Sequence, residues 1–307
     1  AISQSDRQQA SDPPPTPGRY QGPPPQTRAV STHPCAFWPG VYCKALPFAY
    51  NFRMSISSPT LADWLALEPF GLTLSSGFFA FFAHAGVVQA LAERDLRPIS
   101  ISGSSAGALV GASWAAGLTP PAIAERLLRL TKKDFWDPFP GAGLIRGRRF
   151  EALLQEWLPV RHFEECETPL AISVFDVLSR RTRVVNSGPL AAAIRASCAV
   201  PLMFHPVWLG RRPSLDGGVK DRPGLAGMQA PRVLYHHLAS RSPWRGADGA
   251  QTVIPDRPGL IALVIDDLPR SGPDALDQGV EAYHMALALT REALNQAAPT
   301  KVLRLAA

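Results

Sequence analysis

Cysteine is scarce: the 307-residue chain has four, Cys35, Cys43, Cys166 and Cys198. They show no Cys-x-x-Cys spacing and no accompanying histidine pattern, so neither a thiolate zinc site nor a dithiol redox pair is expected, and Cys166 and Cys198 are read as reduced and structural. No motif asks for calcium, another metal or a cofactor. Also missing is any apolar run near the roughly 18–20 residues needed to span a bilayer. The first residues carry no charged-then-apolar leader. The expectation is a soluble, cytoplasmic chain whose membrane contact, if made, is transient and peripheral. A nucleic-acid footprint is lacking too, although the formal net charge is +6. Half of that excess sits in residues 1–53, where Arg7, Arg19, Arg28, Lys44 and Arg53 face Asp6 and Asp12. Elsewhere the only basic clusters beyond isolated pairs are Arg146-Gly-Arg148-Arg149 and Arg180-Arg181-Thr-Arg183. Such short runs read as solvated surface with a weak attraction for anionic lipid head groups, and no nucleic acid is expected as a partner.

The chain does have an ordinary 46% hydrophobic content and enough length to bury a sizeable core. Ten of its 31 prolines lie in residues 1–53, among Gln, Ser, Thr and Arg. A segment of that kind buries too little apolar surface to offset its ordering entropy, so a disordered or loosely draped arm is expected. Met54 opens like a natural start. Residues 1–53 are therefore read as an N-terminal extension and 54–307 as one catalytic domain.

From about residue 70 short β-rich runs alternate with helical patterns. Strands are expected at Leu72–Ser75, Pro98–Ser102, Leu170–Asp176, Thr182–Asn186, Arg232–Tyr235, Leu260–Ile265 and Lys301–Leu305. Helices are expected at Phe81–Arg94, Ala106–Ala116, Pro121–Leu130, Arg149–Trp157, Leu190–Ser197 and Gln278–Gln296. No internal repeat is present. Strands separated by such helices imply an α/β fold, a three-layer α/β/α arrangement with a mostly parallel central sheet.

Three segments carry chemistry. Ile99-Ser-Ile-Ser-Gly103-Ser-Ser105-Ala-Gly107 runs from a β-branched strand through Gly-x-Ser-x-Gly into an Ala/Leu/Val-rich helix. That is the setting of a nucleophile elbow, a strained turn that holds a serine hydroxyl clear of the backbone. Small residues at Gly103, Ala106 and Gly107 allow strand and helix to approach closely, and the helix N-terminus places partial positive charge near Ser105. Upstream, Leu72-Thr-Leu-Ser-Ser-Gly77-Phe78-Phe79-Ala-Phe81-Phe82-Ala-His84-Ala-Gly86 reads as a strand, a tight turn and a helix. Such a turn leaves backbone N–H groups beside the nucleophile, where acyl transfer needs them. Downstream, Ser214-Leu-Asp216-Gly217-Gly218 places a carboxylate at a strand end before two flexible glycines. By contrast, Gly141-Ala-Gly143-Leu-Ile-Arg-Gly147 has the wrong spacing and no preceding strand for a phosphate loop.

Taken in order, these segments resemble the patatin-like phospholipases: an oxyanion glycine loop leading into Ala-His-x-Gly-Val, then GxSxG, then Asp-Gly-Gly. Ile194-Arg-Ala-Ser-Cys-Ala-Val-Pro201-Leu-Met-Phe204 is similar to the family's Ala-Ser-x-Ala-x-Pro-x-x-Phe stretch. The similarity is clear over about residues 70–225. One departure stands out: the family's Gly-Gly-Gly-x-Arg-Gly loop is Gly77-Phe78-Phe79-Ala80-Phe81-Phe82 here, with one glycine and no arginine. Backbone donors do not depend on side-chain identity, so the Gly77 and Phe78 amides are the expected oxyanion hole, with the reservation that phenylalanine avoids positive φ.

The resemblance implies a Ser–Asp dyad. Ser105 is then the nucleophile and Asp216 the group that takes its proton and returns it to the leaving alcohol, with an acyl-enzyme between. An unperturbed aspartate near ~3.9 is a weak base, so partial burial of Asp216 is expected to raise its basicity. The implied substrate is a lipid or other acyl ester of the phospholipase A or lysophospholipase kind. Two alternatives stay open. One is a soluble carboxylesterase or thioesterase with a Ser–His–Asp triad completed by His236, His237 or His284. The other is a non-catalytic acyl-lipid binding module. His84 is read as orienting the oxyanion loop. The phenylalanines at 78, 79, 81 and 82 are read as acyl-pocket lining or as buried core, and Phe135, Trp136, Phe139 and Trp157 as core ahead of an apolar rim near the site.

Overall fold

The computed structural model describes residues 58–238 and 253–307, so the proline-rich extension, with Cys35 and Cys43, lies outside the described residues. In chain order the elements begin with α1 (Leu61–Leu67), β1 (Gly71–Leu74), α2 (Phe81–Glu93), β2 (Ser100–Ser104) and α3 (Ala106–Ala115). Then come α4 (Pro120–Leu128), α5 (Lys132–Phe135), β3 (Gly143–Ile145), α6 (Arg148–Trp157), β4 (Leu170–Asp176) and β5 (Arg181–Val185). The last set is α7 (Leu190–Ser197), β6 (Leu202–Phe204), β7 (Val207–Leu209), β8 (Arg212–Asp216), β9 (Val233–Leu238), β10 (Leu260–Asp266), α8 (Gln278–Asn295) and β11 (Val302–Ala306).

Nine strands form the main sheet in the order β11-β10-β9-β1-β2-β4-β8-β7, with β5 also paired to β4. The run from β11 to β4 is parallel; β5, β8 and β7 are antiparallel additions at one side. After β1 the chain moves one way along the sheet, through β2 to β4, whereas after β9 it moves the other way to β10. The order thus reverses between β1 and β9, and the carboxyl ends of strands at such a reversal are where α/β sheets open a crevice.

Alternation along the central strands gives the sheet two apolar faces. Leu72, Leu74, Ile101, Ile172, Val174, Leu234 and Leu263 join the helices in one large core. On the opposite face Val233, Tyr235, Leu260, Ala262 and Val264 pack with Met228 and Ala230 from the segment before β9. Helix α3, Ala-Gly-Ala-Leu-Val-Gly-Ala-Ser-Trp-Ala, is buried on every side, as its lack of charge allows. Helix α2 buries ten of thirteen residues and meets α8 closely: a Cβ on Gly86 would stand 2.6 Å from the Tyr283 carbonyl oxygen.

The α/β class and the mostly parallel central sheet flanked by helices agree with the alternation in the sequence. All seven expected strands and six expected helices are present, with ends displaced by at most three residues. The largest displacement is β9. It does not stop at Tyr235 but runs through His236 and His237, both buried as neutral rings. Strands β3, β6 and β7 are three residues each, too short to show a period of two. Among the described residues no helix is long and apolar enough to cross a membrane.

Candidate active site

Strand β2 delivers the chain to Ser105 in a conformation that costs energy, φ 52° and ψ −118°. A non-glycine residue held there is strained by about 1–3 kcal/mol and persists only where its surroundings impose it. Here they do. The Ser105 amide donates to Ser197 Oγ at 2.8 Å, and that hydroxyl donates to the Ser173 carbonyl at 2.7 Å. Glycines then let α3 fold back tightly: a Cβ on Gly103 would lie 2.6 Å from the Gly107 carbonyl, and one on Gly107 only 2.0 Å from the Leu74 oxygen. The spacing of small residues in the pentapeptide is thus a packing requirement between β1, β2 and α3.

Asp216 ends β8 and meets Ser105 across 111 positions of chain, with Ser105 Oγ donating to Asp216 Oδ2 at 2.6 Å. The other carboxylate oxygen accepts the Gly218 amide at 2.7 Å. Neither following glycine tolerates a side chain. A Cβ on Gly217 would meet the Ser173 oxygen at 2.1 Å, and one on Gly218 the Ser76 hydroxyl at 2.5 Å. Burial raises the Asp216 carboxyl to about 6 from its ordinary value near 3.8, against the lowering effect of the Ser105 and Gly218 hydrogen bonds. The expected gain in basicity therefore has a definite source in desolvation.

The loop after β1 lies beside this pair. Its Ser76 amide donates to the Arg222 carbonyl, its Ala80 amide to the Gly77 carbonyl, and its Phe79 carbonyl accepts from Ser271 Oγ at 2.6 Å. The Gly77 and Phe78 amides have no partner among the described residues. Phenylalanine does adopt positive φ here, but at Phe79 (53°), one residue past the two expected donors. Helices α2 and α3 both begin without a side-chain cap, and Phe81, Ser105 and Ala106 line one shared cavity. Two sets of free amides and two positive dipole ends thus converge on one space.

The histidines resolve by hydrogen-bond logic. His84 Nε2 stands 2.8 Å from the Ser75 carbonyl, which can only accept, so that nitrogen carries the proton. Burial lowers His84 to about 4, so the ring is neutral and its Nδ1 must accept. The 2.8 Å partner, His236 Nδ1, is then the donor. His237, lowered to about 3 mainly by burial, pairs through Nδ1 with the Tyr235 hydroxyl at 2.6 Å. His284 lies exposed on α8. None of the four is hydrogen-bonded to Ser105 or Asp216.

The cavity opens to solvent beside Ser105. Seven aromatic rings line it: Phe78, Phe79, Phe81, Phe135, Phe150, Trp157 and Phe204. Cys198 also faces it, and its thiol donates to the Ser105 carbonyl at 3.3 Å. Cys166 and Cys198 are free. Three of the four loop phenylalanines therefore line the cavity, while Phe82 is core beneath Gly279. Of the four core or rim candidates, Phe135 and Trp157 line it. Trp136 lies under Lys132 instead, and Phe139 under Arg146.

Three supporting residues escaped the sequence reading. Ser197 belongs to the Ala-Ser-x-Ala stretch, which was visible, but its hold on the Ser105 amide was not. Ser173 and Asp221 are joined at 2.6 Å, and Asp221 also takes the amides of Gly224, Leu225 and Ala226. The only local signal for it is the Asp221-x-x-Gly224 turn.

Several known proteins are similar to this chain. An uncharacterized NTE family protein of Mycobacterium tuberculosis (strain ATCC 25618 / H37Rv) is 35% identical over 178 residues, 57% of this chain and 47% of the relative. The chain thus spans a third to a half of the length of the mycobacterial relatives it matches. Neuropathy target esterase sws of Drosophila persimilis is 26% identical over 194 residues, 60% of this chain and 13% of that protein. Among solved structures, VipD from Legionella pneumophila aligns with a TM-score of 0.45 and 15% identity, covering 74% of this chain and 67% of that one. Residues 72–226 match the family model described as Patatin-like phospholipase, a span that runs from β1 through the elbow to the turn after Asp216. With that match covering half of its length, the chain belongs to the patatin-like phospholipase family.

Proposed function

We propose that this chain is a lipid acyl hydrolase, of the phospholipase A or lysophospholipase type, which cleaves carboxylic esters through an acyl-enzyme on Ser105. The observation that carries the reading is the 2.6 Å hydrogen bond from Ser105 Oγ to Asp216 Oδ2 beside a cavity lined by aromatic rings. Ser105 Oγ attacks the ester carbonyl as its proton passes to Asp216. The free Gly77 and Phe78 amides receive the developing oxyanion, with the amino ends of α2 and α3 adding positive potential. Asp216 returns the proton to the departing alcohol, and water, deprotonated by the same carboxylate, releases the acyl group. A base held near 6 suits this work better than an ordinary aspartate. The cavity's lining is almost wholly apolar, which suits an acyl chain. The triad alternative loses support because each candidate histidine lacks a bond to the pair. Residues 54–307 are read as sufficient for turnover.

Hydrolysis of phospholipids and p-nitrophenyl esters, with fluorophosphonate labelling, tests the proposal. Ser105→Ala removes labelling, and both Ser105→Ala and Asp216→Asn lower kcat by about a thousandfold or more. The wild-type rate rises with pH through about 6 as Asp216 ionises. Stability moves the other way. A carboxyl raised in the folded state stabilises most below its ordinary 3.8, and that contribution is lost as pH climbs through about 6. Asp216→Asn therefore raises Tm at about pH 8 and leaves it near parental at about pH 4. Undiminished turnover in Asp216→Asn overturns the dyad; absence of labelling in folded wild type favours the non-catalytic binding module.

A further inference from the structure

Beside the cavity, strands β3 and β6 form a separate two-stranded parallel ribbon. It presents large apolar side chains to solvent: Leu144 is 69% exposed, Leu202 68% and Phe139 47%. They are close in the backbone, since Gly143 pairs with Leu202 and the Phe139 amide donates to the Leu144 carbonyl at 3.0 Å. Leu202 is held at φ 67°, a left-handed conformation that a branched side chain resists. A turn needing that φ is ordinarily given glycine or asparagine, so a strained leucine that then points into water gains nothing for folding. The ribbon adjoins the acyl cavity directly, because Val200 and Phe204, two residues either side of Leu202, both line it.

The stretch of chain that carries β3 is net positive. Lys132, Lys133, Arg146, Arg148 and Arg149 face only Asp134 and Asp137 within the same stretch. Both carboxylates keep their charge and accept hydrogen bonds from neutral groups nearby. Asp134 accepts the Thr131 amide and hydroxyl, and Asp137 accepts the amides of Gly147, Arg148 and Arg149. Lys132 is offset by Asp274 at 2.6 Å. That leaves Lys133, Arg148 and Arg149 exposed, with the Arg146 guanidinium lying 3.5 Å over the Phe139 ring. Apolar tips carried on a net basic stretch of chain, one of them under an arginine, fit the boundary between acyl chains and anionic head groups.

We infer that the β3–β6 ribbon seats the protein on an anionic phospholipid surface, with Leu144, Leu202 and Phe139 entering the interface beside the cavity that receives the acyl chain. The inference rests on the hydrolase reading for its choice of a lipid partner, and binding is measured apart from turnover. In the Ser105→Ala background, sedimentation with vesicles of phosphatidylcholine plus phosphatidylglycerol shows binding that exceeds that to phosphatidylcholine alone and falls with added salt. Leu202→Gly together with Leu144→Ser weakens it about tenfold or more. With Ser105 intact, the same pair lowers hydrolysis of vesicle phospholipid in step and leaves a soluble short-chain p-nitrophenyl ester unaffected. Leu202→Gly alone relieves the strained φ, so its Tm stays at or above the parent's and misfolding is controlled for. Equal vesicle binding by parent and variant overturns the inference. So does a parent dimer that the variant dissolves without change in vesicle binding, which assigns the face to a second copy of the chain. Should wild type hydrolyse neither substrate yet bind anionic vesicles through the ribbon, the hydrolase reading fails and the docking surface stands.

Discussion

Two strand-to-helix turns lie side by side in this molecule, and they are built differently. Both leave parallel neighbours of the sheet, β1 and β2, and both hold a non-glycine residue at nearly the same left-handed φ, 53° at Phe79 and 52° at Ser105. The elbow at Ser105 is fixed from within by glycines that bring backbone against backbone, and by one serine hydroxyl on its amide. The turn at Phe79 is fixed from outside, by His84 on the Ser75 carbonyl, Ser271 on the Phe79 carbonyl, and ring contacts from Phe79 to Phe78, Phe81 and Phe135. Strain alone does not identify which turn carries the nucleophile. What differs is the material that opposes the strain, close-packed backbone in one and movable side chains in the other.

That contrast is open to direct attack. Gly107→Ala forces a Cβ to within 2.0 Å of the Leu74 oxygen, where backbone cannot give way. A loss of about 3–5 kcal/mol in denaturant unfolding is expected. Gly77→Ala meets chiefly the end of the Leu238 side chain at 2.5 Å, which can rotate, and is expected to cost only about 1 kcal/mol. Equal losses at the two positions would erase the distinction. An effect on turnover more than on stability is expected from His84→Ala, which leaves the Ser75 carbonyl without its donor and loosens the loop. Steady-state kinetics should show kcat lowered about ten- to hundredfold with KM little changed, partly restored by His84→Gln, which keeps a donor. The smallest effect separates strain from packing. Phe79→Gly and Phe79→Ala lose the same ring, yet only glycine relieves the φ of 53°, so the glycine variant should be more stable by about 1 kcal/mol.

Much of the site was legible in local pattern because its turns are local problems. Gly103 and Gly107 straddle Ser105 where strand and helix must touch, and that requirement is written in five consecutive residues. The Asp216-Gly-Gly turn is legible only as a flexible pair, since what excludes side chains from its glycines is Ser173 and Ser76, distant in the chain. The end of β9 was misjudged because His236 and His237 look polar in sequence. Only their partners, His84 and Tyr235, make them acceptable as neutral buried rings. The aromatics that were core or rim candidates divide in a way that local pattern does not show. Aromatic residues close in sequence, Phe135 and Trp136, point one into the cavity and the other under Lys132.

By itself, then, the sequence determined seven of the eleven described strands, six of the eight α-helices and which serine stands on a strained turn, since periodicity and glycine spacing act over a few residues. The tertiary structure decided that Asp216, 111 positions away, closes on Ser105, that desolvation lifts its carboxyl to about 6, and that seven rings enclose one cavity. Those outcomes depend on the order in which strands pair across the sheet. No local pattern encodes that order, because a strand's alternation states which face is buried and not which neighbour lies beside it.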